Sequence, residues 1–254
     1  MSTPGGPTVA IAAVLFVASA IRSSLGFGEA LVAVPLMALV LPVEVAAPLA
    51  VLVSITIAAI AVLQDWRHIQ FRSAGWLVLS TLLGIPIGLL LLKTVPEPAV
   101  KALLASVIIG FSSYSLLGPK RQALRDDGYS WLFGFLAGVL GGAYGMNGPP
   151  LAMYGTLRGW PPKHFRATLQ GYFLPASLLG MCGYGMTGLW TARVNTFYLW
   201  SLPVVVSATF LGRSINHRLD PRRFQFLVHA GLILIGMVLL AQAGANSGLF
   251  RFGG

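Results

Sequence analysis

Apolar residues in this chain run in long blocks, not in the alternation of a half-buried strand or the one-sided stripe of a surface helix. Val45–Leu63, Ser73–Leu92, Gly128–Leu157, Ala167–Ala192 and Val194–Gly212 contain no charged residue. A run of about 18 or more predominantly apolar residues is enough to span hydrocarbon as a helix. The blocks predict helical segments at Thr8–Leu25, Val45–Leu63, Ser73–Leu92, Ala99–Leu117, Ser130–Gly145, Ala167–Thr187, Val194–Gly212 and Phe224–Ala243. Two shorter pieces, Ala30–Leu41 and Pro149–Leu157, follow the first and fifth of these. At about 1.5 Å per residue they rise roughly 18 and 14 Å, short of a ~30 Å hydrocarbon core. Each is therefore read as the returning arm of a re-entrant hairpin.

Each short piece follows a break, Gly26-Phe27-Gly28-Glu29 in one case and Gly145-Met146-Asn147-Gly148-Pro149-Pro150 in the other. Lipid offers no partner for backbone N–H and C=O groups, so unwound backbone at that depth needs protein or a cavity around it. Paired breaks in corresponding places of two halves point to a transporter with its substrate site near the bilayer midplane. The predicted fold is an all-α polytopic membrane protein of two inverted repeats, each a broken, re-entrant hairpin plus three transmembrane helices. The whole chain, 1–254, is read as one membrane transport domain: repeat 1 about 8–117, a linker at 118–129, and repeat 2 about 130–243. LGFGEALVAVPLMALV resembles GAYGMNGPPLAMYGTL, with Pro35-Leu36 matching Pro150-Leu151. Further on, GIPIG (Gly84–Gly88) and Pro96 correspond to FLGRS (Phe210–Ser214) and Pro221.

Composition agrees with a membrane class: 56% of residues are hydrophobic, 9% are charged, and the mean hydropathy is +0.79. A soluble core of this size would need far more surface charge. Met1–Pro7 carries no basic residue, so the first segment is expected to be retained, not cleaved as a signal peptide. One cysteine, Cys182, leaves no internal disulfide and no cysteine-based metal site. The net charge of +10 lies in short loops, which makes it a topology signal and not a nucleic-acid surface. With the N-terminus outside, the loops Gln64–Arg72, Gly118–Tyr129, Arg158–Arg166 and Arg213–Arg223 fall inside and carry twelve Lys and Arg; the outside keeps four. That bias predicts extracytoplasmic termini.

The candidate chemistry gathers at the breaks. A half-helix that starts near the midplane presents unsatisfied N–H groups and a partial positive charge, which favour an anion. Gly26, Phe27, Gly28, Gly145, Asn147 and Gly148 are the candidate backbone cradle, with Asn147 suited to an N-cap and Pro149 to the first turn. The alternative is that both breaks are packing kinks. Arg22 and Glu29 flank the first break. A charge at the bilayer centre costs ~2.5–3.5 kcal/mol on insertion scales, so it pairs or lines a wet cavity. Either the two form an ion pair that holds the hairpin, or Arg22 attracts the anion while Glu29 couples a proton. Ser24, Tyr144, Gln170 and Tyr172 complete the candidate site, and Ser23, Ser54, Thr56 and Ser207 are further donors nearby. His229 is read as an interhelical donor before a proton relay. No Walker loop, HExxH or Cys/His cluster appears, so neither an enzyme nor a cofactor is expected, and uphill transport must draw on a gradient.

At these residues the chain resembles the sulfite exporter TauE/SafE family of membrane permeases. The carrying segments are SSLGFGEALVAVPL (Ser23–Leu36), GIPIG (Gly84–Gly88) and GVLGGAYGMNGPPLAMYGTLRG (Gly138–Gly159), and the likeness runs over about Ala10–Ala243. The resemblance implies a bacterial inner-membrane permease of seven or eight segments. Its substrates would be sulfite, sulfoacetate and other sulfur oxyanions or organosulfonates, usually exported. The expected partners are a small anion and the lipid bilayer, with no nucleic acid, and a homodimer is an open expectation. Two other readings stay open from the residues alone: a passive anion channel, and a cation or metal permease, for which Glu29 is thin support.

Overall fold

The computed structural model describes residues 6–118, 124, 126–215 and 221–246. Among these, all regular structure is helical: α1 (Gly6–Leu25), α2 (Glu29–Ala38), α3 (Val43–Asp65), α4 (Phe71–Thr94), α5 (Glu97–Leu117), α6 (Ser130–Tyr144), α7 (Gly148–Leu157), α8 (Pro162–Met186), α9 (Ala192–Ile215) and α10 (Pro221–Asn246). A 3₁₀ turn, Trp66–His68, continues α3. Among the described residues, five helices are long and apolar enough to cross a membrane: α3 with its 3₁₀ turn, α4, α5, and most of α9 and α10. The protein is therefore a multi-pass membrane protein. α8 has the length, but Gln170 and a basic first turn make it less apolar; α1 carries Arg22 near its end.

The two short pieces form as separate helices of 10 residues each, α2 and α7, so each rises only about 15 Å. Helix starts follow prolines. Pro42, Pro96 and Pro161 stand in extended conformation directly before α3, α5 and α8. That residue has no N–H for a helix to satisfy, and its fixed φ sets the entry. Five more prolines, Pro35, Pro48, Pro86, Pro175 and Pro203, lie inside helices. Neighbouring helices in a membrane bundle make such interruptions tolerable.

The main packing pairs join early helices to late ones: α4 on α6, α1 on α9, α5 on α10 and α3 on α8. The α4–α6 pair is the closest. A methyl group on Gly84 or Gly88 would strike the backbone around Phe135 and Val139, and one on Gly138 or Gly142 would strike Thr81 and Ile85. Small residues four apart let backbones touch where no hydrophobic effect drives helices together. This gives GIPIG its structural meaning. Outward faces are apolar: Leu79, Leu82, Leu83, Ile87 and Leu90 of α4 are all exposed.

Three of the four basic loops meet at one end of the bundle. The His164 ring lies 5.9 Å from that of His68, and Ser73 donates to Asp127 at 2.9 Å. At the opposite end Lys93 donates to the Thr187 carbonyl at 3.0 Å. Much of the predicted linker, and residues 216–220 of the fourth loop, lie outside the described residues. The described part of the linker is fixed. Leu124 N–H donates to Leu157 O (2.8 Å), and Arg158 Nη1 donates to Leu124 O (3.0 Å). Asp127 accepts from Tyr154 at 2.6 Å and pairs with Arg158 Nε at 3.3 Å. The linker is thereby clamped onto the C-terminal end of α7.

Partial burial works against the charge on Asp127, but the Tyr154 and Ser73 hydrogen bonds and the cations of Arg158 and Arg72 outweigh it and hold its carboxyl below the usual range. A carboxyl depressed on folding stabilises the protein above its unfolded pKa, and that contribution is lost as pH falls through the folded value. Asp127→Asn is expected to lower Tm by several degrees at pH 7 in detergent. The gap to wild type should close on acidification below about pH 4, the ordinary aspartate value. A gap that persists unchanged at low pH would show that the clamp does not act through the carboxylate.

Candidate functional site

Arg22 sits in the last turn of α1 and is 2% exposed, in a bundle whose core is mainly apolar. Its guanidinium is met from three other elements. Nη1 donates to Glu29 Oε2 (3.1 Å) at the start of α2 and to Ser54 Oγ (2.7 Å) on α3. Nη2 donates to Gln170 Oε1 (2.8 Å) on α8, and the guanidinium carbon lies 4.6 Å from the centre of the Phe173 ring. Gln170 turns its amide to the first break and donates from Nε2 to Gly26 O at 2.7 Å. Ser177 donates to Ser54 at 3.2 Å. Gln170, Phe173 and Ser177 share one face of α8 by their spacing of three and four. Arg22 Nε and Glu29 Oε1 have no hydrogen-bond partner among the described residues.

Two cavities meet at Arg22. The larger, about 290 Å³, is a vestibule that runs from Asp65, His68 and Lys163 at the basic-loop end down to Arg22, Gly26 and Gln170. The smaller, about 20 Å³, lies between the starts of the two half-helices. Gly28, Glu29, Ala30 and Leu31 form one side, Gly145, Asn147, Gly148 and Pro149 the other, with Ser54 and Phe173 beside them. The two half-helix N-termini therefore face a common chamber, with Arg22 between it and the vestibule. The donor supply is uneven. α7 opens Gly148-Pro149-Pro150, so two of its first three residues lack an N–H, while Glu29, Ala30 and Leu31 of α2 all have one.

The glycines of the first break do different work. Gly28 has φ 101°, in the region L side chains avoid, although space beside it is free apart from Ile21. Gly26 also has positive φ, and a Cβ there would run into the stem of Arg166. Arg166 thus lies across the first break as well as lining the vestibule. Sequence reasoning placed Arg166 only in a basic loop. No spacing signal linked residues 26 and 166.

Of the residues singled out in the sequence, Arg22, Gly26, Gly28, Glu29, Gly145, Asn147, Gly148 and Gln170 line one or both cavities. Four do not. Ser24 spends its hydroxyl on the carbonyls of Ala20 and Gly212 in the α1–α9 contact. Tyr144 donates to Val100 O on α5. Phe27 packs edge-on between Phe111 and Phe165. Tyr172 shares a 2.6 Å hydrogen bond with Thr81 and reaches the chamber only by accepting from Asn147 at 3.4 Å. Asn147 does occupy the N-cap position of α7, but its side chain makes no cap bond because it is turned to Tyr172. Thr56 bonds Tyr198, Ser207 bonds its own helix, and His229 faces Ser112 at 3.4 Å. Ser54 was named as a nearby donor and proves to be a direct partner of Arg22; Phe173 and Ser177 were missed although their spacing from Gln170 marks the same face.

A model of the sulfite exporter TauE/SafE family matches residues 11–239. A protein of Cupriavidus necator described as "Probable sulfite/organosulfonate exporter TauE" is 28% identical over 206 residues, covering 80% of this chain and 80% of that protein. No solved structure matches the chain significantly.

Removing one member of a buried ion pair leaves an uncompensated charge, at a cost of about 3–5 kcal/mol. Arg22→Leu is expected to lower thermal stability in detergent by an amount in that range. Adding Glu29→Gln to it should restore most of the loss, since no lone carboxylate then remains. A double variant no more stable than Arg22→Leu would show that the cation is held by Ser54, Gln170 and Phe173 and not by its pair.

Proposed function

The chain belongs to the sulfite exporter TauE/SafE family, and we propose that it is a secondary transporter that exports small sulfur-containing anions such as sulfite or organosulfonates. The anion would sit in the chamber between the starts of α2 and α7, against Arg22. One observation carries this reading: the buried cation with the best access to that chamber is also the floor of a vestibule that opens at the basic end. A cavity that stops at Arg22 fits a carrier that opens to one side at a time better than a pore.

The relative from Cupriavidus necator supports the substrate class. Glu29 now holds the cation that the substrate would need. An arriving anion competes with Glu29 for Arg22, and the displaced carboxylate is stabilised by taking a proton in place of its cation. Glu29 is then the coupling residue. A dianion that travels with one proton still carries net negative charge, which an inside-negative potential drives outward at about 2.3 kcal/mol per charge per 100 mV.

The helix pairing supports two inverted repeats that form a single transport domain. Match α1–α5 to α6–α10 in order, and the contact of α4 with α6 becomes that of α9 with α1, while α3 with α8 and α5 with α10 map onto themselves. Each half has one broken hairpin and three further helices, an odd number of crossings. With the basic loops inside, both termini lie outside the cytoplasm in the inner membrane.

Two experiments test this. In proteoliposomes, counterflow of radiolabelled sulfite should be saturable and should compete with short alkyl sulfonates. Gly148→Leu should abolish it while preserving the fold, since a Cβ there meets only ordinary contacts with Phe27 and Phe173. Gly28→Leu should abolish it too, with backbone strain of about 1–3 kcal/mol added. Glu29→Gln should keep exchange but lose the dependence of net flux on a pH gradient. Near wild-type counterflow in Gly148→Leu would move the binding site elsewhere, and gradient-driven net flux in Glu29→Gln would remove the coupling role. For orientation, a reporter active only in the cytoplasm should be silent when fused after Gly254, and activity there would defeat the inverted arrangement.

A further inference from the structure

The vestibule has properties that access to Arg22 alone does not require. At about 290 Å³ it is near the small end of ligand pockets, whereas the inner chamber, at about 20 Å³, is water-sized. Of these two cavities, the vestibule alone has room for an anion in this conformation. Its wall carries Lys163 and Arg166 from the first turns of α8, and its floor is Arg22; Asp65 is the acid among its lining residues. The N-terminal peptide dipoles of α8 add positive potential at the same place. Arg166 is held there by its stem, which covers Gly26. Two buried polar atoms among the lining residues have no hydrogen-bond partner among the described residues: Nε of Arg22 and the hydroxyl of Ser23. Ile57 and Ile60 of α3 and Phe210 of α9 give the same cavity apolar lining.

We infer that the vestibule is a second anion site, a loading site in series with the inner chamber, built for a sulfonate or sulfite head with room for a short apolar tail. The head meets Lys163 and Arg166, with Arg22 below them; the tail lies on Ile57, Ile60 and Phe210. Arg22, common to both cavities, passes the head inward when the chamber opens. A charged head beside an apolar wall lets one site accept both a bare oxyanion and an organosulfonate. The identity of the anion rests on the function proposed above; the existence of the site does not.

The test uses the full chain in proteoliposomes with Cys182→Ser and a single cysteine introduced as Ala61→Cys in the vestibule wall, or as Ile60→Cys if the first folds poorly. Its reactivity is compared toward an anionic sulfonatoethyl methanethiosulfonate and the cationic trimethylammonium-ethyl analogue, each normalised to a free thiol. Local positive potential should favour the anionic reagent by about tenfold, and Lys163→Gln should cut that preference by about threefold or more. Ethanesulfonate should slow labelling saturably, while tetramethylammonium should not. Equal rates for the two reagents, no labelling by either, or no protection by ethanesulfonate would each overturn the loading site. Labelling does not depend on transport. Charge preference with protection but no sulfite counterflow would refute the proposed function and leave this site standing; counterflow without preference or protection would do the reverse.

Discussion

A guanidinium enclosed in an apolar helix bundle has to be given acceptors from wherever the fold can bring them, and here that requirement shapes the centre of the molecule. Arg22 draws on α2 through Glu29, on α3 through Ser54 and on α8 through Gln170 and the face of Phe173. Two of these elements precede residue 118, as α1 itself does, and one follows residue 130, so the cation ties the early part of the chain to the late part. Gln170 extends the tie to the unwound backbone by capping Gly26 O. The same groups that satisfy the cation thus satisfy the break, which is the condition for irregular backbone at membrane depth.

That arrangement also makes the site adjustable. A carboxylate and a transported anion present the same oxygen acceptors to a guanidinium. In the proposed transport cycle Glu29 would stand in for substrate when none is bound, so that the buried cation is never left bare. Breaking such a pair without replacement is costly, whereas exchanging one anion for another is not. A carrier needs this balance, because binding has to be reversible at both faces.

The rest of the bundle keeps these short-range contacts in register. Glycines bring α4 and α6 to backbone contact, and Gly212 does the same for α9 on α1. Tyr184 donates to the carbonyls of Gly141 and Gly142 at 3.0 and 2.9 Å just before the second break, so that backbone too is satisfied from α8. At the basic end, Asp127 and Leu124 fasten the linker to the far end of α7. The short helix α7 is consequently held at both ends.

The apolar blocks by themselves determined the all-helical membrane class, the positions of the helices to within a turn or so, and both breaks, because lipid imposes its demand on composition and length directly. Charge placement in the loops told which loops share an end, and His68 against His164 and Ser73 against Asp127 agree. The pairing of Arg22 with Glu29 was also legible, since two opposite charges seven residues apart across a break have few other partners. What no local pattern carried was the direction of neutral side chains. Ser24, Tyr144 and Tyr172 have the chemistry of a binding site, but each is spent on structure: Ser24 and Tyr144 on helix–helix contacts, Tyr172 on Thr81 and Asn147. Arg166 read as a loop charge and lies across the first break. A hydroxyl or a long basic side chain fits several roles equally well by type, and only the packing of α1, α8 and α9 around the break decided which role each one took.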